Sequence, residues 1–240
     1  MSGASNAWAA SPARSAAGGS LLANDPHLNL TAPSIWYLAR LELQSGGVIG
    51  GTIPGVPAVL VGRSNRLGWG LTTAYLDDQD VVIEALNPDN PEEYRTPDGW
   101  ATFESRQSII TVKDAPPVTL TLRWSRNGPI LPGTQYALAS VTPPGHVAAV
   151  SWTALSGADT SMTARDPAHP SQGRLPVLGA DPAAGFKGVL PYETNPRFVN
   201  PASGLLGNTN NKMIDRPFPE HVSFTWGDTQ RIQRWLTLMK

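Results

Sequence analysis

The cleanest alternation of apolar and polar positions runs from Val118 to Trp124, where Val118, Leu120, Leu122 and Trp124 face one way and Thr119, Thr121 and Arg123 the other. A period of two predicts a strand with one buried face. Helical spacing appears in two places. Ile35, Leu38, Ala39 and Leu43 recur at three- and four-residue intervals, which predicts a helix over Ser34 to Leu43 with Gly46-Gly47 as its stop. Ile232, Trp235, Leu236 and Met239 do the same over Thr229 to Met239. No capping signal follows this second helix, so further sequence is expected after it.

Elsewhere the pattern is that of short strands. Ala7 to Ser11 and Leu21 to Asn24 flank a small-residue turn, Ala13 to Ser20, and predict a hairpin. Val48 to Leu86 is strand-rich. Its apolar runs, Val56 to Val61 and Val81 to Leu86, are separated by turn chemistry at Gly62-Arg63-Ser64-Asn65 and by the acidic loop Asp77-Asp78-Gln79-Asp80. Further strands are expected at Ser108 to Val112 and Val147 to Thr153. Between Thr163 and Gly188 four prolines interrupt a run of small residues, and no period survives, so an irregular connection is expected there. Order returns at Val189. The organisation expected is a lead over 1–4, a core over 5–162, a proline- and glycine-rich connection over 163–188, and the remainder of the core over 189–240.

Composition narrows the function without naming it. A net charge of −1 leaves no overall basic surface for nucleic acid. No apolar run approaches a membrane span, so neither nucleic acid nor membrane is expected as a partner. With no cysteine, disulfides and thiolate metal sites are excluded. Only 15% of residues are charged while Gly and Pro are abundant, which suits sheets and loops better than a helical bundle. Met1 to Ala10 lacks the basic start and long apolar centre of a signal peptide. There is no Gly-x-Ser-x-Gly elbow, no His-Glu-x-x-His and no phosphate-binding glycine loop. The histidines, at 27, 146, 169 and 221, are too scattered to suggest a metal site.

One serine has a chemical argument behind it. Ser5 opens the predicted hairpin in Ser5-Asn6-Ala7-Trp8, and Asn24-Asp25-Pro26-His27 closes it. A hydroxyl is a nucleophile only beside a base. A cut between Ala4 and Ser5 would supply one, because the new α-amino group of Ser5 could take the proton.

The ordered set Ser5-Asn6-Ala7-Trp8, Asn24-Asp25-Pro26-His27, Pro54-Gly55-Val56-Pro57, Gly62-Arg63-Ser64-Asn65, Gly68-Trp69-Gly70-Leu71-Thr72, Asn127-Gly128-Pro129 and Asn208-Thr209-Asn210-Asn211 resembles the penicillin acylase family. That family, which includes cephalosporin and acyl-homoserine-lactone acylases, consists of N-terminal-nucleophile hydrolases made as precursors and cut into α and β chains. The chain resembles the first part of a β chain. The resemblance implies an α+β fold, an αββα sandwich of antiparallel sheets that is incomplete here. It implies hydrolysis of a linear amide, with a small acyl amide as substrate, and an amidase that needs no cofactor for its chemistry. A missing α chain and further β-chain sequence are the partners it implies, with a periplasmic or secreted location.

Residue by residue, Ser5 matches the nucleophile. Thr73 matches the position whose backbone N–H helps bind the oxyanion. Asn210 matches the asparagine that gives the second donor, with Asn208 as the alternative. His27 matches a position near the nucleophile's amine, and Arg231 an arginine near the active-site asparagine. Leu28 and Tyr75 match acyl-pocket positions, although core packing explains them equally well. Asp77 and Asp80 match positions that bind a structural calcium in some members, with the Gln79 backbone carbonyl as a further oxygen, yet the position of a later acidic ligand falls near Val222, which cannot coordinate, and a solvated acidic loop is the alternative. The shortened stretch after Met162 departs from the family. A noncatalytic fragment that folds only with a partner therefore stands as the alternative reading.

Overall fold

The structure is a computed structural model that describes residues 4–155, 163–227 and 229–240. In chain order its strands are β1 (Ala4–Ala10), β2 (Leu21–His27), β3 (Tyr37–Leu41), β4 (Val48–Thr52), β5 (Val61–Arg63), β6 (Gly68–Trp69), β7 (Gln79–Asn87), β8 (Asn90–Thr96) and β9 (Gly99–Thr102). They continue as β10 (Glu104–Ile110), β11 (Val118–Ser125), β12 (Gly128–Leu131), β13 (His146–Trp152), β14 (Thr163–Arg165), β15 (Val177–Leu178), β16 (Phe186–Val189) and β17 (Leu205–Asn208). One helix, α1 (Gln230–Leu238), closes the series. The lead expected at 1–4 lies, except for Ala4, outside the described residues, as does Met162 at the end of the expected core.

The chain forms two compact units. The first comprises the residues up to Tyr75 together with 196–215 and 225–240; the second comprises 76–195 and 216–224.

In the first unit β1 is the middle strand of a three-stranded sheet, with β17 on one side and β2 on the other. Both pairings are antiparallel. Trp8 of β1 stacks on Trp235 of α1 with ring centroids 4.8 Å apart. Gly207, paired with Trp8 across the sheet, makes room for this: a Cβ there would come within 2.6 Å of the Trp8 ring and 3.2 Å of Trp235. The stack fixes α1 on the sheet, and the residue one turn earlier on the same face is Arg231. A second sheet runs β3–β4–β5–β6.

The expected helix over Ser34 to Leu43 is a strand instead. Tyr37 to Leu41 pair with Thr52 to Val48, and Gly46-Gly47 belong to the turn between them rather than to a helix stop. At Gly47 a Cβ would lie 2.6 Å from the Leu41 carbonyl. The apolar stripe that suggested a helix finds little cover, with Leu38 86% and Leu43 67% exposed and Ala39 alone half-buried. A helix this short depends on burying such a stripe. Of the apolar run Val56 to Val61, only Val61 enters a strand.

In the second unit β7 and β13 form the centre of a long sheet. Val82 pairs with Ala149 and Ile83 with Ala148, so alternate residues serve opposite faces. One face packs Val82 and Ala149 with Val177; the other packs Ile83 and Ala148 with Leu138. Cover on both faces accounts for the nearly continuous apolar run of β7. Val177 belongs to β15, which lies parallel to β7 and makes the one parallel pairing among the described residues. The stretch 163–188 is therefore not wholly irregular. It holds β14 and β15 and most of β16, all too short to leave a period in the sequence. The alternation at Val118 to Trp124 does mark a strand, β11, but Val118 and Leu120 are exposed, and the half-buried part, from Leu122 on, includes Arg123 as well as Trp124.

Candidate active site

Ser5 lies near the start of β1, is 6% exposed, and sits opposite Pro26 in the β1–β2 register. Its backbone N–H donates to Asn210 Oδ1 at 2.7 Å. Asn210 follows directly on β17, is 3% exposed, and has φ 63°. Asparagine tolerates this left-handed conformation better than most residues. Asn208 holds the bend in place, its Oδ1 accepting the Asn210 N–H at 2.9 Å. Asn210 Nδ2 donates to the Thr73 carbonyl at 2.9 Å. An amide nitrogen carries two hydrogens, so one remains for another acceptor.

The segment ending at Thr73 is tied to the Ser5 sheet by three asparagines in succession. Asn24 accepts the Leu71 N–H at 3.1 Å and donates to the Leu71 carbonyl at 3.0 Å. It also donates to the Asn6 carbonyl at 2.7 Å. Asn208 accepts the Thr72 hydroxyl at 2.6 Å. Asn210 then takes Thr73. Gly70 permits the approach, since a Cβ there would fall 2.9 Å from the Asn24 side chain. Among the described residues the Thr73 N–H has no hydrogen-bond acceptor.

Arg231, expected near the asparagine, closes the constellation. Its Nη1 donates to the Ser5 carbonyl at 2.9 Å and to Asn6 Oδ1 at 2.8 Å. Its Nη2 donates to the Thr209 carbonyl at 2.6 Å and to Asn210 Oδ1 at 3.0 Å. One guanidinium thus bridges the strand that carries Ser5 and the loop that carries Asn210.

His27 ends β2 opposite Ala4, and its Nε2 lies 2.7 Å from Asp25 Oδ1. Asp25 in turn accepts from Asn6 Nδ2 at 3.3 Å. Leu28 is 39% exposed just beyond β2, and Tyr75 has φ 49°. A groove of about 1370 Å³ runs between the two sheets of the first unit, lined by Leu21, Leu22, Ile49, Leu67 and Trp69 among others. It includes neither Leu28 nor Tyr75.

Asp77 and Asp80 belong to the second unit and meet a guanidinium. Asp77 accepts from Arg165 Nε at 2.9 Å and Nη2 at 2.8 Å, and Asp80 from Nη1 at 2.8 Å and Nη2 at 3.2 Å. His221 Nε2 lies 2.7 Å from Asp77 Oδ2. Burial pushes the Asp80 carboxyl up, against the pull of Arg165. Burial disfavours the charged Arg165 as well, but the hydrogen bonds and charges of Asp80 and Asp77 outweigh it and raise its value. Gln79 stands between the two acids, exposed and paired across to Trp152. Calcium takes six to eight oxygens, and all four carboxylate oxygens here already have donors. Among the described residues no group of three or more His, Asp or Glu side chains could hold a metal. This set does not fit the calcium that the resemblance implies.

Sequence reasoning assigned no role to Asn24, Thr72 or Arg165. Asn24 lay inside a quoted motif and could have been weighed there. Arg165 left no local signal, because its partners stand 85 and 88 residues away.

Mostly antiparallel sheets with one α-helix among the described residues, and a buried serine on the strand that a distant asparagine caps, fit an α+β protein with the N-terminal-nucleophile hydrolase fold. A thermostable penicillin G acylase from Alcaligenes faecalis shares it, with a TM-score of 0.74 over 98% of this chain and 49% of that one, at 20% identity. The chain belongs to the penicillin amidase family, whose model matches residues 2–165 and 162–240. It is 28% identical over 265 residues to penicillin G acylase of Escherichia coli, covering 95% of this chain and 31% of that protein. It is 36% identical over 129 residues to the acyl-homoserine lactone acylase QuiP of Pseudomonas aeruginosa, covering 53% of this chain and 15% of that protein. The chain thus spans a third or less of the length of these relatives.

Proposed function

We propose that the protein is an amidohydrolase that opens a linear amide through an acyl-serine on Ser5. The observation that carries this reading is the buried hydrogen bond from Ser5 N to Asn210 Oδ1, beside the Thr73 backbone. Cleavage between Ala4 and Ser5 turns that nitrogen into a free amine, with a reference pKa of about 7.7–8.0. The amine takes the Ser5 hydroxyl proton as Oγ attacks the acyl carbon, and Asn210 Oδ1 orients it. The oxyanion is received by Thr73 N–H and by the second hydrogen of Asn210 Nδ2. The leaving amine accepts the proton and departs. Water then attacks the ester, giving the carboxylic acid and restoring the serine.

The relatives are named for penicillin G and for acyl-homoserine lactones, so an acyl side chain of a β-lactam or of a homoserine lactone is the substrate class to test. Activity also needs further polypeptide. This rests on the chain's share of its relatives' length and on exposed apolar residues such as Leu38 and Leu67.

The test is intact-mass analysis of the expressed chain with a chromogenic acyl-amide assay, alone and with a co-expressed α chain from a relative. A new N-terminus at Ser5, and turnover that Ser5→Ala abolishes, are expected. An active preparation with an intact Ala4–Ser5 bond would overturn the mechanism. A cut chain that stays inactive with every α chain would favour the noncatalytic reading.

A further inference from the structure

We propose that Arg165 is a built-in counter-ion that takes the place of a metal between Asp77 and Asp80, so that the second unit folds without calcium. The argument starts from charge. Asp77 and Asp80 stand three residues apart where β7 begins, with side chains 11% and 5% exposed. Two carboxylates taken this far out of water need a cation between them. Arg165 arrives from β14, in the stretch where the chain is shorter than the family pattern, and its side chain is 4% exposed. Nε, Nη1 and Nη2 all donate, and every carboxylate oxygen of the pair receives.

The surroundings are shaped for a planar cation. The guanidinium carbon sits 4.4 Å from the centre of the Phe186 ring, within range of a cation–π contact. Gly173, at φ 73°, lies so close that a Cβ would come within 2.8 Å of the guanidinium. Val222, at the position expected to supply an acidic ligand, offers only its carbonyl, which accepts the Asp77 N–H at 3.0 Å. Beside it His221 spends Nε2 on Asp77. A hard divalent ion would have to displace five donors and would find few oxygens in return. Lysine could not replace this arginine, since a single ammonium cannot span both carboxylates in the same fork.

The experiment uses the whole chain and calcium itself. Equilibrium dialysis up to about 1 mM calcium, the weak end of protein sites, should show no stoichiometric binding, and chelator should leave the melting temperature unchanged. One calcium bound per chain with a melting temperature raised by several degrees would overturn the proposal. Arg165→Met should melt far below the parent. The triple variant Asp77→Asn, Asp80→Asn, Arg165→Met should recover much of that loss, because it removes the charges that the arginine balances. An Arg165→Met protein that melts like the parent would also overturn the proposal. Should that variant not fold, the dialysis on the unaltered chain decides.

Discussion

Asn210 Oδ1 accepts the backbone N–H of Ser5 at 2.7 Å across 205 residues of chain. The same side chain holds the Thr73 carbonyl through Nδ2. It does so from a left-handed backbone conformation, stabilised by Asn208 behind it. Strain of this kind persists only where the surroundings over-determine it, and it clusters at functional sites.

Two substitutions separate the two ends of that side chain. Asn210→Asp keeps an acceptor for Ser5 and Arg231 but has no N–H to donate. It is expected to lower kcat on an acyl amide by about 10²–10³ and to lower the urea midpoint as well, because a buried carboxylate oxygen then faces the Thr73 carbonyl. Asn210→Ala adds a stability loss of about 1–3 kcal/mol, because the Ser5 N–H and the Thr73 carbonyl both lose a buried partner. Asn208→Ala should cost stability with a smaller fall in kcat. A greater kcat loss for Asn208→Ala, at equal stability, would move the donor role to Asn208.

Among the described residues Asn24 makes no hydrogen bond to Ser5, yet it should matter to rate. It grips both backbone groups of Leu71, two residues before Thr73. Without it the Thr73 N–H is no longer held where an oxyanion would form. A displacement of about 1 Å can cost about 10² in rate, so Asn24→Ala should lower kcat by about one to two decades with KM nearly unchanged. Asn24→Asp retains the acceptor for Leu71 N–H and should recover part of the loss. Equal effects on kcat and KM would indicate mere loosening of the hairpin.

Sequence order was enough to single out Ser5 and Asn210 because each lies in a motif, and the motifs keep their order even as the spacing between them changes; Arg231 was reached through the resemblance, on the predicted helix that follows the last of them. Terminal α1 was legible because its apolar face has a real partner in Trp8. The segment from Ser34 to Leu43 misled because periodicity records which positions are apolar, not whether anything covers them. Arg165 was invisible for another reason. A single arginine in a proline-rich stretch looks solvated until the fold brings two acids to it.

Gly207→Ala tests how α1 is seated. The added methyl would strike the Trp8 ring and press on Trp235, and overpacking of this kind costs about 1–3 kcal/mol. The near-UV circular dichroism of the tryptophan stack should weaken, and activity should fall with it because α1 carries Arg231. An unchanged spectrum with lost activity would assign Gly207 a role in the site itself.

Asp181 gives a pH test that is independent of the active site. The Ala183 backbone N–H, and then the His169 side chain, hold its carboxyl below the usual carboxylate value. Because the folded value is depressed, its contribution to stability is complete above the unfolded value of about 3.9 and is lost as pH falls through the folded value. Asp181→Asn should therefore melt below the parent at neutral pH, and the gap should close as the pH is lowered past that window. A gap that stays constant down to pH of about 2 would show that the charge is not the source.

Arg231 separates charge from geometry at the proposed catalytic amine. Its fork meets four acceptors, two on the strand of Ser5 and two on the loop of Asn210. Arg231→Lys keeps the positive charge but loses the fork. It should cost about 1–3 kcal/mol of stability through unmet acceptors and lower kcat more than it raises KM. Arg231→Gln removes the charge as well. A cation next to an α-amine disfavours the protonated amine and lowers its pKa. Its removal should raise that pKa, so that the limb of kcat/KM governed by amine deprotonation moves to higher pH in Arg231→Gln and stays in place in Arg231→Lys. The same limb position in both variants would mean that Arg231 only braces the loop, and that some other group sets the basicity of the amine.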